Sequence, residues 1–160
     1  MFRFTGFAWR LTATVLAALV GAVIFPASVG AAPKTNSLSG QAQTGTFRFN
    51  GTVVSDDDGS PVRGTFIVKT PDGTVNVDAN CLAVQSVPGG RVAGASGVVH
   101  VTKDPSFPVG SGVGVQAFDS DNPAVADGLS FLVVPGAPGD CEVPSDRPTS
   151  VTDGKITIRQ

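Results

Sequence analysis

The sequence contains no tyrosine, one tryptophan, one histidine and two cysteines among 160 residues. Each scarcity removes a class of chemistry. His100 is the only imidazole and no CxxC spacing exists, so a structural zinc site, which takes about four ligands, lacks its donors. A Ser–His–Asp set would have to use His100, and no G-x-S-x-G turn is present to offer a serine. Past residue 31 there is neither Trp nor Tyr, and a glycosidase usually wants such aromatic platforms beside its two carboxylates. Clustered Lys and Arg are missing too, which disfavours a nucleic-acid partner, because phosphate neutralisation needs them. The glycine-rich "VGSGVG" (Val109 to Gly114) leads into no helix, so it has no helix N-terminus to cradle a phosphate.

The one long apolar run is at the front. Arg3 and Arg10 give a positive start, Leu11 to Ile24 carry no charge, and small residues follow from Ala27 to Ala32. That order is the layout of a secretory signal peptide, and the run is shorter than the roughly 20 residues a membrane span needs. We expect residues 1–31 to be the signal peptide, cut after Ala31 with Val29 and Ala31 in the small-residue positions. The alternative is an uncleaved anchor. No Cys follows the run, which argues against a lipid-modified N-terminus. Removing Arg3 and Arg10 from the eleven basic residues leaves nine against thirteen acidic ones, a net charge of −4. The sequence therefore predicts a secreted, extracellular protein with no membrane insertion after cleavage.

Cys81 and Cys141 both fall in the exported part. An even count in an oxidising compartment reads as a disulfide. The chain-entropy model credits a bridge closing a loop of about 60 residues with on the order of 4 kcal/mol.

Residues 32–44 are small and polar and read as a flexible leader. A single β-domain follows over residues 45–160. "GTFRFNGTVV" holds Phe47, Phe49 and Val53 in one parity. Its Asn-Gly pair is a hairpin signal in general, but a turn there would split that parity, so one bulged strand is favoured. "SDDDGSP" is a loop and "PDG" (Pro71 to Gly73) a tight turn. "TVNVDANC" alternates with Val75, Val77, Ala79 and Cys81 on one side, which predicts a core-facing Cys81. "LAVQSV" continues that strand, and "VRGTFIVKT", "RVAGASGVVHVT", "VGVQAF", "GLSFLVV" and "KITIR" supply the remaining strands. In "VVHVT", Val99 and Val101 share a parity opposite to His100, predicting an exposed His100. Seven to eight short strands without a helical period predict an all-β fold, an antiparallel sandwich or small barrel. The proline-rich stretch from Pro135 to Asp153 is long for an unstructured loop, and a Cys81–Cys141 bridge would pin it against the sheet.

One loop holds candidate chemistry. "DSDNPAVAD" (Asp119 to Asp127) places three acids, an Asn and a Pro between two strands. Asp119 and Asp121 fit the first two ligand positions of an EF-hand, but Pro123, Ala124 and Ser130 stand where it needs a ligand, a Gly and a Glu. A looser calcium site using Asp119, Asp121, Asp127 and the Asn122 carbonyl is the metal candidate; no other cofactor is expected. The simpler reading is a wide turn, in which Asp and Asn bond their own backbone and Pro123 stiffens the loop.

The body also resembles a group of small secreted all-β domains common in high-GC Gram-positive bacteria. The resemblance spans about Gly45 to Arg159. It rests on "GTFRFN", "VDANCLAV" with its Cys, the acidic loop before "LSFLVV", the second Cys, and the closing "GKITI". It implies an exported β-domain and carries no catalytic residues. The expected function is a non-enzymatic binding or structural module at or outside the cell envelope, with an envelope component or a small ligand as partner. The rival readings are a calcium-dependent carbohydrate or adhesion module, and a small hydrolase using Asp119, Asp127 or His100.

Overall fold

A computed structural model describes residues 34–56, 60–134 and 141–160. The expected signal peptide and its cut site lie outside these residues. Eight antiparallel strands form one sheet in the order β7-β6-β5-β4-β3-β2-β1-β8. They are β1 (Thr35–Thr44), β2 (Phe47–Asp56), β3 (Arg63–Thr70), β4 (Gly73–Val87), β5 (Gly90–Thr102), β6 (Gly112–Ser120), β7 (Gly128–Val134) and β8 (Asp153–Arg159). The sheet curls into a nearly closed barrel, which settles the choice between barrel and sandwich.

The strands lie where turn residues end one alternation and the next begins. Each of the six strands from β2 to β7 pairs with its predecessor. Inside, Leu38, Phe49, Val53, Phe66, Val68, Val75, Val77, Val99, Val113, Val115, Leu129, Ile156 and Ile158 are all essentially sealed from solvent. An eight-stranded barrel is just wide enough for side chains to fill it, and these do. Phe49 and Phe66 meet near the middle with ring centroids 6.0 Å apart.

Residues 35–44 are not a flexible leader. They form β1, bonded to β2 on one side and β8 on the other. Only Leu38 and Ala42 put apolar side chains inward, so hydrophobic alternation is weak. Two neighbouring strands, rather than burial, hold β1 extended. Gly40 lets β1 bend inward against β8: its φ is +147°, and a Cβ there would sit 2.2 Å from the Lys155 carbonyl oxygen.

β2 runs unbroken through Asn50-Gly51, as the parity predicts, but without a bulge. Gly51 faces inward, where the Phe66 side chain takes the space a Cβ would need.

The bulges are in β4 and β5. Ala79 pairs with Gly97 and Cys81 with Ser96, leaving Asn80 as an extra residue; Val77 pairs with Val99 and Asn76 with Val101, leaving His100 extra. An extra residue on one strand reverses which face the following side chains occupy. Leu82 is therefore buried at 3 % exposure while Cys81 turns to the outer surface, which corrects the expected core-facing cysteine. Val101 is 46 % exposed for the same reason. His100 is exposed, as expected.

Cys141 is bonded to Cys81, and the chain then forms a strap over the outside of the barrel. Glu142 passes so close to β5 that a Cβ on Gly94 would lie 2.2 Å from its carbonyl oxygen. Arg147 stacks on the Phe118 ring of β6 at 4.6 Å. Pro148 covers Gly128 of β7. The strap is held to the sheet as the sequence predicts, its position set by the cysteine that the Asn80 bulge turns outward. Among the described residues no helix is long and apolar enough to cross a membrane.

Candidate functional site: the acidic loop at the barrel seam

Both ends of the sheet order leave an edge, β7 on one side and β8 on the other. Backbone pairing closes only part of the gap. The Leu129 N–H donates to the Thr149 carbonyl and the Val151 N–H to the Asp127 carbonyl, each at 2.8 Å. The Thr152 N–H then donates to the Gln43 carbonyl at the end of β1, also at 2.8 Å. Phe47 and Phe131 pack across the same gap with centroids 5.5 Å apart.

The rest is closed by the carboxylates of "DSDNPAVAD". The Ile156 N–H donates to Asp127 Oδ2 at 3.0 Å, and the Ile158 N–H donates to Asp119 Oδ2 at 2.8 Å. Asp127 Oδ1 also accepts from the Ser120 N–H at 3.2 Å. Alternate residues of a strand point their N–H groups the same way. Ile156 and Ile158 point theirs away from β1, into the seam. Two aspartates thus stand in for a missing neighbouring strand, and their charge strengthens each bond. The turn between them is self-bonded: the Ala124 N–H donates to Asn122 Oδ1 at 3.0 Å and the Asn122 N–H to Ser120 Oγ at 3.2 Å.

Asp121 does not join them. It lies 3.8 Å from Arg91 on the surface. The three candidate metal ligands therefore have three separate sets of partners, and the described residues contain no group of three or more His, Cys, Asp or Glu able to hold a metal ion. His100 is also apart from both seam aspartates. Its Nδ1 is 3.1 Å from Asp78 Oδ1, with both side chains about half exposed.

Asp104 was not evident in the sequence. It sits in the β5–β6 loop at 2 % exposure. The Thr70 hydroxyl donates to its carboxylate, and the Ser106 N–H donates to Oδ1 at 2.9 Å. Thr70 in turn accepts from the Asp72 and Gly73 N–H groups, so the carboxylate ties the β3–β4 turn to the β5–β6 loop. The Thr70 hydroxyl bond holds the Asp104 carboxyl below the usual carboxylate range, assisted by Ser106 and opposed by burial. A depressed folded-state value contributes stability that is fully present above the ordinary carboxylate pKa and is lost as pH falls through the folded value. The expected outcome for Thr70→Val is a flatter acid limb: its deficit against the parent, measured by urea unfolding, is largest at neutral pH and shrinks below about pH 4. An equal deficit at both pH values would remove Asp104 as the cause.

No protein-family model matches the chain, and neither does any curated protein or solved structure.

Proposed function

We propose that the chain is an exported, non-catalytic β-barrel module that works by binding, at or outside the cell envelope. One observation carries the reading: the groups best suited to chemistry are engaged in holding the barrel together. Asp119 and Asp127 bond the seam, and Asp104 clasps two loops. A surface bridge between strand and strap fits an oxidising compartment, and the sequence features of residues 1–31 supply the route there. With the interior packed, ligand contact falls to the outer surface.

The test is co-sedimentation of the exported, purified protein with isolated envelope material, run beside chromogenic ester, glycoside, phosphate and peptide substrates. Saturable co-sedimentation without turnover is expected. Absence of binding to every envelope fraction, or turnover that His100→Ala abolishes, would overturn the proposal.

A further inference from the structure

The outer face of β8, β1, β2 and β3 is unlike the rest of the surface. Five of the nine basic residues past residue 31 lie on it: Arg48, Arg63, Lys69, Lys155 and Arg159. The register places Arg48 directly opposite Lys69. Like charges facing each other across neighbouring strands destabilise a sheet. Arg63 has Asp56 at 3.5 Å to offset it. Arg48 and Lys69 have no ion pair and no hydrogen bond among the described residues, although Asp153 lines the same cleft. That cleft, of about 370 Å³, takes its polar lining from Gln41, Gln43, Arg48, Asn50, Lys69 and Asp153, with Ile67 beside them. Beside it the face continues as hydroxyls: Ser39, Thr52 and Thr65 form one row, with Thr157 opposite Ser39.

We propose that this face binds an anionic glycan, its acid groups seated between Arg48 and Lys69 and its hydroxyls on the neighbouring amide and hydroxyl rows. Charge complementarity selects the occupant: two adjacent cations, without an ion-pair partner among the described residues, in a protein whose exported part carries −4. The length of the face favours a polymer over a single small anion, since four strands spaced about 4.8 Å apart give it a breadth of roughly 15 Å. Amides and hydroxyls both donate and accept, which suits a hydroxyl-rich chain. Nucleic acid is disfavoured because the nearby aromatics Phe49 and Phe66 point into the core, leaving bases nothing to stack on. The inference rests on the envelope-binding reading and names its ligand class.

The experiment measures binding of the purified protein to alginate oligosaccharides, a phosphorylated mannan, neutral dextran and oligo-dT, at low and high salt. Salt-sensitive binding to the alginate or the mannan is expected, with the tighter one identifying carboxylate or phosphate as the anion. Dextran should not bind. R48Q/K69Q should weaken binding about tenfold. K34Q/K103Q makes the same charge change elsewhere and should leave it unaltered. The thermal midpoint of R48Q/K69Q should equal or exceed the parent's, because a repulsion has been removed. Equal losses in the two double variants, oligo-dT binding as tight as the glycans, or no binding to either anionic glycan would overturn the proposal. If R48Q/K69Q still co-sediments fully with envelope material, this inference falls while the envelope reading stands.

Discussion

Asp127→Ala is expected to unfold at a markedly lower urea concentration than the parent, by about 2–4 kcal/mol. The carboxylate accepts from two backbone N–H groups on two different strands, Ser120 of β6 and Ile156 of β8. A hydrogen bond to a charged group contributes roughly 1.5–3 kcal/mol, and a donor left without a partner adds its own desolvation cost where water cannot reach it. Partial exposure of Asp127 brings the sum below twice that figure. Asp119→Ala loses a single acceptor, for Ile158, and should cost about 1.5–3 kcal/mol. Asp121→Ala is the internal control. Its exposed pairing with Arg91 at 3.8 Å is of the kind worth about 0–1 kcal/mol. Far-UV circular dichroism is the readout, since Tyr is absent and the one Trp is Trp9. Equal losses in all three variants would mean that the loop acts as a unit. If calcium also raised the parent's midpoint and each substitution abolished that rise, the loop would be a cation site. The seam account requires the order Asp127, Asp119, Asp121, with no calcium effect needed.

The second large effect is expected at the disulfide. Cys81→Ser/Cys141→Ser should cost about 2–5 kcal/mol, the usual range for a native bridge in a small disulfide-bonded domain. Its consequence should reach beyond the cysteines. The strap that Cys141 anchors runs over Gly94, Phe118 and Gly128, then bonds Leu129 of β7 through Thr149 and Asp127 just before β7 through Val151, and enters β8. Loosening the strap should weaken the same seam that Asp127 closes. In a double-mutant cycle the cysteine pair and Asp127→Ala should be coupled by about 0.5–3 kcal/mol. Hydrogen exchange at the Leu129 and Val151 amides should accelerate in the cysteine-free protein. Independent, additive losses and unchanged exchange at those amides would confine the bridge to a local role.

The sequence was legible wherever turn chemistry and alternation agreed. "PDG" between β3 and β4, and the parity of Phe47, Phe49 and Val53 in β2, both describe the structure. Three features were beyond local pattern. In β1 two apolar side chains in ten residues cannot distinguish a strand from a tail; the strands on either side make the difference. At Asn80 and His100 one extra residue reverses the faces, yet Val99 and Val101 still alternate perfectly in sequence. Only the partner strand reveals the slip. The acidic loop is a turn by composition, and that much was readable. Its service to Ile156 and Ile158 depends on an edge supplied some 30 to 40 residues later. The Arg48–Lys69 pair hides similarly: parity turns each outward, while the opposition between them exists only in the register of β2 with β3.

The placement of β1 has a consequence for the order of folding. Its two neighbours are β2, next in the chain, and β8, whose approach joins Thr152 to Gln43 across 109 residues. The hairpins from β1 to β7 can assemble as they emerge, but one side of β1 stays bare until β8 is present. Contacts so distant in sequence are slow to form, and an uncovered strand edge invites pairing with other chains. In a chain folding from its N-terminal side, β8 is the last strand to arrive, so the β1 edge is the last to be covered. A chain ending before residue 153 would lack the strand that pairs with the outer side of β1.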